Sequence, residues 1–310
     1  MTTAKIALLP DRGVVSITGE DAARLLQGVI TNDMAAFDSG ATAIHAGLLT
    51  PQGKILHEFF VVRRTDGSDG FLVETARERA ADLAKRLMLY KLRAKAEIKD
   101  VSSAHTVAVR WDTDAAVGPW QPPVRAESRY GNVLWFADPR HPALGIRLIL
   151  TIATDWVVAE SGAQAASADD YHAHRIALGI PEGGRDYAIG DTFPHEADFD
   201  LFGGVSFTKG CFVGQEVVAR MQHKSIVRKR VVAVAGDGLA PGAEVKLGEV
   251  AIGMVGTVAN GRGLAIVRLD RVAEAADKGL VVTAGGKPVV VDAAALGRYR
   301  DSAAERPPGP

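Results

Sequence analysis

The chain has 310 residues, of which 47% are apolar and 24% charged, the composition of a globular protein with more than one domain. Its 36 basic and 37 acidic side chains give a net charge of −1, which argues against a protein built mainly to hold nucleic-acid phosphates. A single cysteine excludes an intramolecular disulfide and is typical of a reducing compartment. The N-terminal apolar run is too short for a secretory signal, and no stretch approaches the roughly 18 apolar residues of a membrane span. We therefore expect a cytoplasmic monomer that associates with neither a membrane nor, stably, a nucleic acid.

Strands and helices alternate over the first two thirds of the chain. A short β-rich run near 14–17 precedes a helix whose apolar stripe contains Leu25, Leu26, Val29 and Ile30. Strands are predicted at 43–49, 55–62, 70–74, 96–101, 105–111, 133–137 and 146–152, with an amphipathic helix at 75–91. After a loop-rich stretch at 112–129, a helix is predicted at 169–178, and a polar, glycine-rich segment follows at 181–204. Such long irregular segments are often functional.

The last third of the chain has a different sequence pattern. Short β-rich runs alternate with glycines from Arg230 to Val291, which predicts a small β-barrel. The final ten residues have the composition of a disordered tail. We therefore predict a region of α+β structure over 1–229, a barrel over 230–300 and a tail over 301–310.

The octapeptide KGCFVGQE, from Lys209 to Glu216, is the sharpest local signal. A helix is predicted to begin near Gly214, with Glu216 in its first turn, where the helix dipole favours an acid. Cys211 thus lies just before a helix N-terminus and two residues from Lys209, and both features favour the thiolate. The flanking glycines would let a ligand or a partner's backbone approach closely. The alternative is an inert cysteine in the interior, where free cysteines are common.

A basic run follows the octapeptide and could receive an anion, such as a polyglutamate tail or an RNA phosphate, or could simply be solvated. It comprises Arg220, His223, Lys224, Arg228, Lys229 and Arg230. The sequence contains no GxxxxGK[ST] phosphate loop, no HExxH, no paired CxxC and no GxSxG motif. It therefore gives no support for a nucleotide site, a zinc site or an α/β-hydrolase nucleophile.

KGCFVGQE matches the KGC-[FY]-x-GQE signature of the YgfZ family, which is related to the aminomethyltransferase (T-protein) of the glycine cleavage system. Other pieces resemble the family's motifs and occur in the right order. They are LLQG…TND at 25–33, LLTPQGKI at 48–55, YKLR at 90–93, DPR…GIR at 138–147 and R…LGIP at 175–181. The resemblance therefore extends from Leu25 to Glu216, and beyond that point it is one of architecture.

This resemblance implies an α+β protein of aminomethyltransferase type, with two interleaved α+β units around a central folate-binding cavity and a C-terminal β-barrel. It implies tetrahydrofolate as the ligand and a role in assembling or repairing iron–sulfur proteins, including enzymes that modify tRNA. The family's functional lysine and cysteine correspond to Lys209 and Cys211, which we predict as the catalytic residues. The predicted folate-binding residues are Asn32, Glu58, Arg175, Gly210, Gly214, Gln215 and Glu216. Asn32 could instead cap a turn, Glu58 could be solvated, and Arg175 could pair with an acid such as Asp169.

The chain departs from the T-proteins at one point. Where they have an Asp-Asp pair it has His57 and Glu58, which places the acid a methylene further out, and a misplacement of about 1 Å can cost on the order of a hundredfold in rate. An iron–sulfur cluster needs about four protein ligands, so Cys211 could only share a transient cluster with a carrier or client protein. The alternatives are a folate-dependent aminomethyltransferase, another one-carbon transferase or a demethylase that uses Glu58, and an RNA-contacting module that uses the basic run.

Overall fold

The computed structural model describes residues 4–64, 69–112, 133–151, 162–224 and 226–305. The chain divides into two compact units. The first comprises residues 1–49, 57–171 and 202–213, and the second comprises 50–56, 172–201 and 214–310. This division differs from the predicted boundary at 229, because three segments that precede that boundary belong with the barrel. Backbone hydrogen bonds from Ile55 N to Thr192 O (2.9 Å) and from Val231 N to Glu196 O (2.8 Å) join these segments to one another and to the barrel.

The first unit contains two five-stranded sheets. One has the order β3-β4-β5-β2-β6, with β2 (Arg12–Thr18), β3 (Ala43–Leu49), β4 (Ile55–Arg63), β5 (Phe71–Ala76) and β6 (Glu97–Asp100). Two helices, α1 (Ala22–Val29) and α2 (Arg77–Lys91), share an apolar core with it. Helix α1 buries Leu25, Leu26 and Val29, the stripe that the sequence predicted.

The other sheet of this unit has the order β10-β1-β7-β9-β8. Its strands are β1 (Lys5–Leu8), β7 (Thr106–Trp111), β8 (Val133–Ala137), β9 (Ile146–Leu150) and β10 (Gln164–Ala165). Neighbouring strands are antiparallel except for the parallel pair β1 and β10. Ile6, Ala108 and Leu148 belong to its core. Most of the predicted loop-rich stretch, from 113 onwards, lies outside the described residues.

The second unit is built on a seven-stranded sheet of order β16-β15-β12-β13-β14-β11-β17. Its strands are β11 (Lys229–Ala235), β12 (Glu244–Leu247), β13 (Val250–Ala259), β14 (Arg262–Arg268), β15 (Val282–Ala284), β16 (Lys287–Pro288) and β17 (Val290–Val291). Helix α3 (Ala168–Ala177) runs from the first unit into the second. The second unit also holds α4 (Gln215–Lys224), α5 (Leu269–Lys278) and α6 (Ala293–Glu305).

Two helices of the second unit were not predicted. Helix α5 interrupts the region expected to be β-rich, buries Leu269 and Val272, and ends at Gly279 in the left-handed conformation (φ 64°). Helix α6 begins after Asp292, which accepts a hydrogen bond from Ala295 N (3.0 Å) as an N-terminal cap. It continues through 301–305, which the sequence assigned to a disordered tail, and 306–310 lie outside the described residues. Within the described part of the chain, no helix has the length and apolar character needed to span a bilayer.

Candidate functional site

The loop from Ser206 to Phe212, which we call the Cys211 loop, belongs to the first unit. Ser206 N donates to Thr31 O (3.0 Å), and Lys209 N donates to Ser206 Oγ (3.2 Å). Phe207 and Thr208, between these attachments, and Gly210 and Cys211, after them, are exposed. The structure therefore excludes the alternative of a cysteine sealed in the interior.

Lys209 is attached to the end of helix α1. Its Nζ donates hydrogen bonds to three backbone carbonyl oxygens, those of Gln27 (2.8 Å), Ile30 (2.7 Å) and Asn32 (2.8 Å). The last carbonyls of a helix have no intrahelical partner, and a lysine is a favourable cap for them. Burial lowers the pKa of Lys209 to about 8, against the opposing field of Asp33.

Asn32 and Glu58 lie on the same chain of contacts. Asn32 Nδ2 donates to His45 O and to Gly203 O, both at 2.7 Å, and its Oδ1 accepts from Asp33 N at 2.8 Å. The side chain of His45 contacts Glu58, with Nε2 and Oε1 2.9 Å apart. The amide of Asn32 therefore binds strand β3 and the backbone at Gly203, a structural role of the kind that the turn-capping alternative allowed. Glu58, whose side chain is 10% exposed, is not solvated.

The side chains of His57 and Glu58 lie in different surroundings, because neighbouring residues on strand β4 point to opposite faces of the sheet. His57 is fully buried, and its Nε2 lies 2.9 Å from Asp82 Oδ2. Burial lowers the pKa of His57 to about 4. The two residues therefore do not form a pair that could replace the acids of the T-proteins.

Beyond Glu58 lies a buried network that the sequence did not reveal as a unit. Arg147 Nε donates to Glu74 Oε2 (2.9 Å), and Arg12 Nε donates to Glu74 Oε1 (2.9 Å). Arg140 Nη2 donates to Asp138 Oδ2 at 2.8 Å, and its Nη1 lies 3.9 Å from Glu58 Oε1. Burial disfavours the ionised form of Glu74, but the arginines outweigh it and lower the carboxyl pKa. The motif DPR…GIR supplies Asp138, Arg140 and Arg147, whereas Glu74 and Arg12 had no signal beyond a charged residue in a β-rich run.

The remaining predicted folate residues outside the Cys211 loop lie in the second unit. Arg175 is fully buried, and its Nη1 donates to Asp186 Oδ2 and to Ile180 O, both at 2.6 Å. It thus makes the ion pair that the alternative interpretation allowed, although with Asp186 and not with Asp169. Gln215 and Glu216 are the first two residues of helix α4, in agreement with the predicted helix start.

The two glycines of the octapeptide differ in their surroundings. Gly214 has a φ of +80°, and a Cβ added there would lie 2.5 Å from Thr50 O and 3.0 Å from Gly53 Cα. Gly210 has no left-handed φ, and an added Cβ would meet no atom within 4 Å. The space beside Gly214 is therefore used by the protein's own turn at 50–54, while Gly210, in the first unit, is exposed.

The basic run is only partly available to an anion. Arg230 Nη1 donates to His195 O (2.6 Å), Asp198 Oδ1 (2.7 Å) and Asp200 Oδ1 (2.9 Å). Burial raises the pKa of Asp198 to about 7, although Arg230 opposes this. Arg230 therefore attaches the glycine-rich segment to the barrel, while Arg220, His223 and Arg228 are exposed.

The second unit also contains a cavity of about 500 Å³ between the glycine-rich segment and strands β13 and β14. Its lining includes Arg185, Tyr187, Lys229 and Met254. The volume is in the range of small-molecule sites, but none of the predicted folate residues lines it. In the described ranges, no group of three or more His, Cys, Asp or Glu side chains could hold a metal ion.

Known proteins resemble both the C-terminal barrel and the fold of nearly the whole chain. Residues 228–296 match the model of the C-terminal β-barrel domain of CAF17. Over 93% of the chain, the structure resembles the crystal structure of the glycine cleavage system aminomethyltransferase T from Bartonella henselae, with a TM-score of 0.68, 15% identity and 84% of that chain covered. The predicted fold, an aminomethyltransferase-like α+β fold with a C-terminal β-barrel, is therefore confirmed.

Relatives of higher identity carry a different name from the family that the octapeptide suggested. The chain is 35% identical over 242 residues to the iron–sulfur cluster assembly factor IBA57 homolog of Mycosarcoma maydis, and 34% identical over 233 residues to that of Neurospora crassa. Each alignment covers 74% of this chain, but the chain spans only 57% and 53% of those two proteins. It is 32% identical over 253 residues to mouse IBA57, with 78% of this chain and 69% of the mouse protein covered.

All three relatives are named as mitochondrial proteins, so the cytoplasmic location predicted from the sequence is wrong on this comparison. A lone cysteine is typical of any reducing compartment and does not distinguish one such compartment from another. The alignment with mouse IBA57, at 32% identity and over 69% of the mouse protein, is extensive enough to assign the chain to the same family. With its aminomethyltransferase-like fold and its exposed cysteine, the chain belongs to the IBA57 family of iron–sulfur cluster assembly factors.

Proposed function

We propose that this protein supports the assembly or repair of iron–sulfur proteins, including tRNA-modifying enzymes, by providing Cys211 as one ligand of a cluster shared with another protein. The observation on which the proposal rests is an exposed sole cysteine on a loop held by several hydrogen bonds. The names of its relatives support a role in cluster assembly. The match of KGCFVGQE further suggests that the chain works in the manner of the YgfZ-type proteins.

The ligand count determines the form of the mechanism. A [2Fe–2S] or [4Fe–4S] cluster takes about four protein ligands, mostly thiolates, and this chain has one thiol. The partner, a cluster carrier or a client enzyme, therefore supplies the other thiolates. Ligation replaces the proton of the Cys211 thiol by iron, so the proton leaves as the shared cluster forms. The cluster is cargo in this scheme and is not a resident cofactor of the chain.

We further propose that the protein binds tetrahydrofolate, with Glu58 as the acid nearest the pterin. The support is the motif resemblance, together with a carboxylate that His45 orients and that Arg140 approaches to 3.9 Å. Asn32 would act through the shape of its loop, because its amide is bonded to backbone groups on both sides. Arg175 would act through Asp186 and the glycine-rich segment, because the guanidinium itself is fully buried.

A second candidate function is folate-dependent one-carbon transfer, as an aminomethyltransferase or a demethylase. It is favoured by the presence of a carboxylate, Glu58, in a nearly dry and polar surrounding within a fold of the aminomethyltransferase type. Incubation of the pure protein with tetrahydrofolate and an aminomethyl thioether donor, whose transferred carbon is already at the formaldehyde level and which releases ammonia and a thiol, distinguishes the two functions. Formation of methylenetetrahydrofolate that survives Cys211→Ser but not Glu58→Gln would favour the enzyme.

The leading proposal is tested in cells that lack the native gene and express either the wild type or Cys211→Ser. We expect the variant to lose support of [4Fe–4S] enzymes while the purified protein keeps its melting temperature and its affinity for tetrahydrofolate in calorimetric titration. Unchanged activity of the cluster enzymes in cells with Cys211→Ser would refute the proposed role of the thiol. Absence of heat on titration with tetrahydrofolate would refute the folate proposal separately.

A further inference from the structure

Besides Cys211, the octapeptide contains a second residue with a reactive side chain, Lys209. The contacts of its ammonium group determine which chemical roles it can have. A protonated lysine has three N–H donors and no acceptor. Lys209 places Nζ within 2.8 Å of three carbonyl oxygens, so all three donors are engaged. A proton donor, a base or a nucleophile needs a free N–H or a lone pair directed at its substrate. The ammonium of Lys209 offers neither.

The three acceptors have one structural origin. Gln27 lies in the last turn of helix α1, and Ile30 and Asn32 lie in the segment that directly follows the helix. Their carbonyls converge on one point, and the lysine that reaches this point comes from a loop more than 170 residues further along the chain. The ring of Phe212 lies 5.2 Å from Nζ, which adds a cation–π contact on the other side of Cys211.

We infer that Lys209 is a positioning residue, which fixes the Cys211 loop to the end of helix α1 and so holds Cys211 in an outward-facing position for its partner. This inference rests on the proposed function, because it assigns Lys209 a role only through Cys211. It replaces the prediction of a catalytic lysine by that of a lysine that orders the loop. A disordered loop would have to be ordered each time a partner binds, which weakens association.

The inference has a signature that simple packing would not give. The three carbonyls need N–H donors at this position, so a side chain that keeps donors should hold the loop better than an apolar one of similar length. Methionine has a similar length but donates no hydrogen bond. The loop should therefore become mobile in Lys209→Met.

The experiment uses the full chain with a maleimide fluorophore on Cys211, which is the only thiol and is exposed. Fluorescence anisotropy is measured at neutral pH in the wild type, Lys209→Met, Lys209→Arg, Lys209→Gln and the control Lys99→Met. Lys99 belongs to the same unit and is exposed, so its removal changes the charge but not the loop.

We expect a high anisotropy in the wild type and the same value in Lys99→Met. Lys209→Met should give a clearly lower value, and Lys209→Arg, which keeps charged N–H donors, should give a value between those of Lys209→Met and the wild type. An unchanged anisotropy in Lys209→Met, with a melting temperature equal to that of the wild type, would overturn the inference. If Lys209→Met is poorly folded, Lys209→Gln takes its place, and an anisotropy equal to that of the wild type in that variant would overturn the inference too.

A second measurement separates this inference from the proposed function. The unlabelled proteins are mixed with a [2Fe–2S]-loaded carrier of the A type, and complex formation is followed by visible circular dichroism. We expect Lys209→Met to weaken the complex about tenfold and Cys211→Ser to abolish it. An effect of Cys211→Ser without any effect of Lys209→Met would refute the positioning role alone. No effect of Cys211→Ser would refute the proposed function while leaving the anisotropy result as a test of the loop.

Discussion

The two glycines of KGCFVGQE provide a sharp test of the structure, because the fold requires one and leaves the other free. Replacement of Gly214 by alanine places an L residue at a φ of +80°, which costs about 1–2 kcal/mol. The new Cβ would lie 2.5 Å from Thr50 O, and relief of such overpacking costs about 1–3 kcal/mol more. Gly214→Ala should therefore destabilise the protein by about 2–5 kcal/mol.

Gly210→Ala is the matched variant, four residues earlier in the same motif. No atom lies within 4 Å of the added Cβ, and the backbone does not have a left-handed φ. Loss of conformational freedom in the unfolded chain should then leave stability unchanged or raise it by about 0.4–1 kcal/mol. Urea unfolding followed by circular dichroism measures both variants. Equal destabilisation by the two substitutions would refute the conclusion that only Gly214 is required by the fold.

Three further predictions concern the first unit. His57 has a pKa of about 4 in the folded protein, so between pH 4 and 6.5 the native state binds fewer protons than the unfolded state. The free energy of unfolding should therefore fall by up to about 3 kcal/mol as the pH is lowered through this window. In His57→Gln, the midpoint of urea unfolding should depend less on pH. Glu74→Gln leaves two buried arginines without their carboxylate and should lower the free energy of unfolding by about 3–5 kcal/mol, as measured with urea. The control Glu97→Gln, at an exposed position, should change it by less than about 0.5 kcal/mol. Similar losses in both variants would contradict the buried network. Glu58→Gln removes a charged acceptor and should weaken tetrahydrofolate binding by about tenfold or more in calorimetric titration, with Glu97→Gln as the control. An affinity unchanged in Glu58→Gln would contradict a role of Glu58 in folate binding.

Much of the fold was predictable from local patterns. Helix α1 and the strands of the first unit follow from apolar spacing, and the barrel follows from glycines alternating with β-rich runs. Helix α5 was missed because it is only ten residues long and is flanked by strands, so its apolar stripe was taken as part of the β-rich texture. The tertiary context, with Gly279 as its C-terminal cap, decides its structure.

The site was predictable only where a motif marked it. Cys211 and Lys209 were identified from the octapeptide, but the acceptors of Lys209 are carbonyls near residue 30, and a sequence gives no sign of which carbonyls remain unbonded. The partner of Arg175 was equally hidden, because Asp186 lies eleven residues away in an irregular segment. Burial of Glu74 between two arginines depends on a strand pairing that no local pattern encodes.

In the proposed mechanism, one exposed sulfur atom, Cys211 Sγ, completes a cluster held mainly by another protein. Native mass spectrometry of the purified chain mixed with a [2Fe–2S]-loaded carrier tests this most directly, with Cys211→Ser and Gly297→Ala measured in parallel. Gly297 lies in helix α6 of the second unit with open space around it, so its variant should behave as the wild type. We predict a heterocomplex whose mass includes two irons and two sulfides for the wild type and Gly297→Ala, and none for Cys211→Ser. The same iron-containing heterocomplex with Cys211→Ser would contradict the proposed role of the sulfur atom.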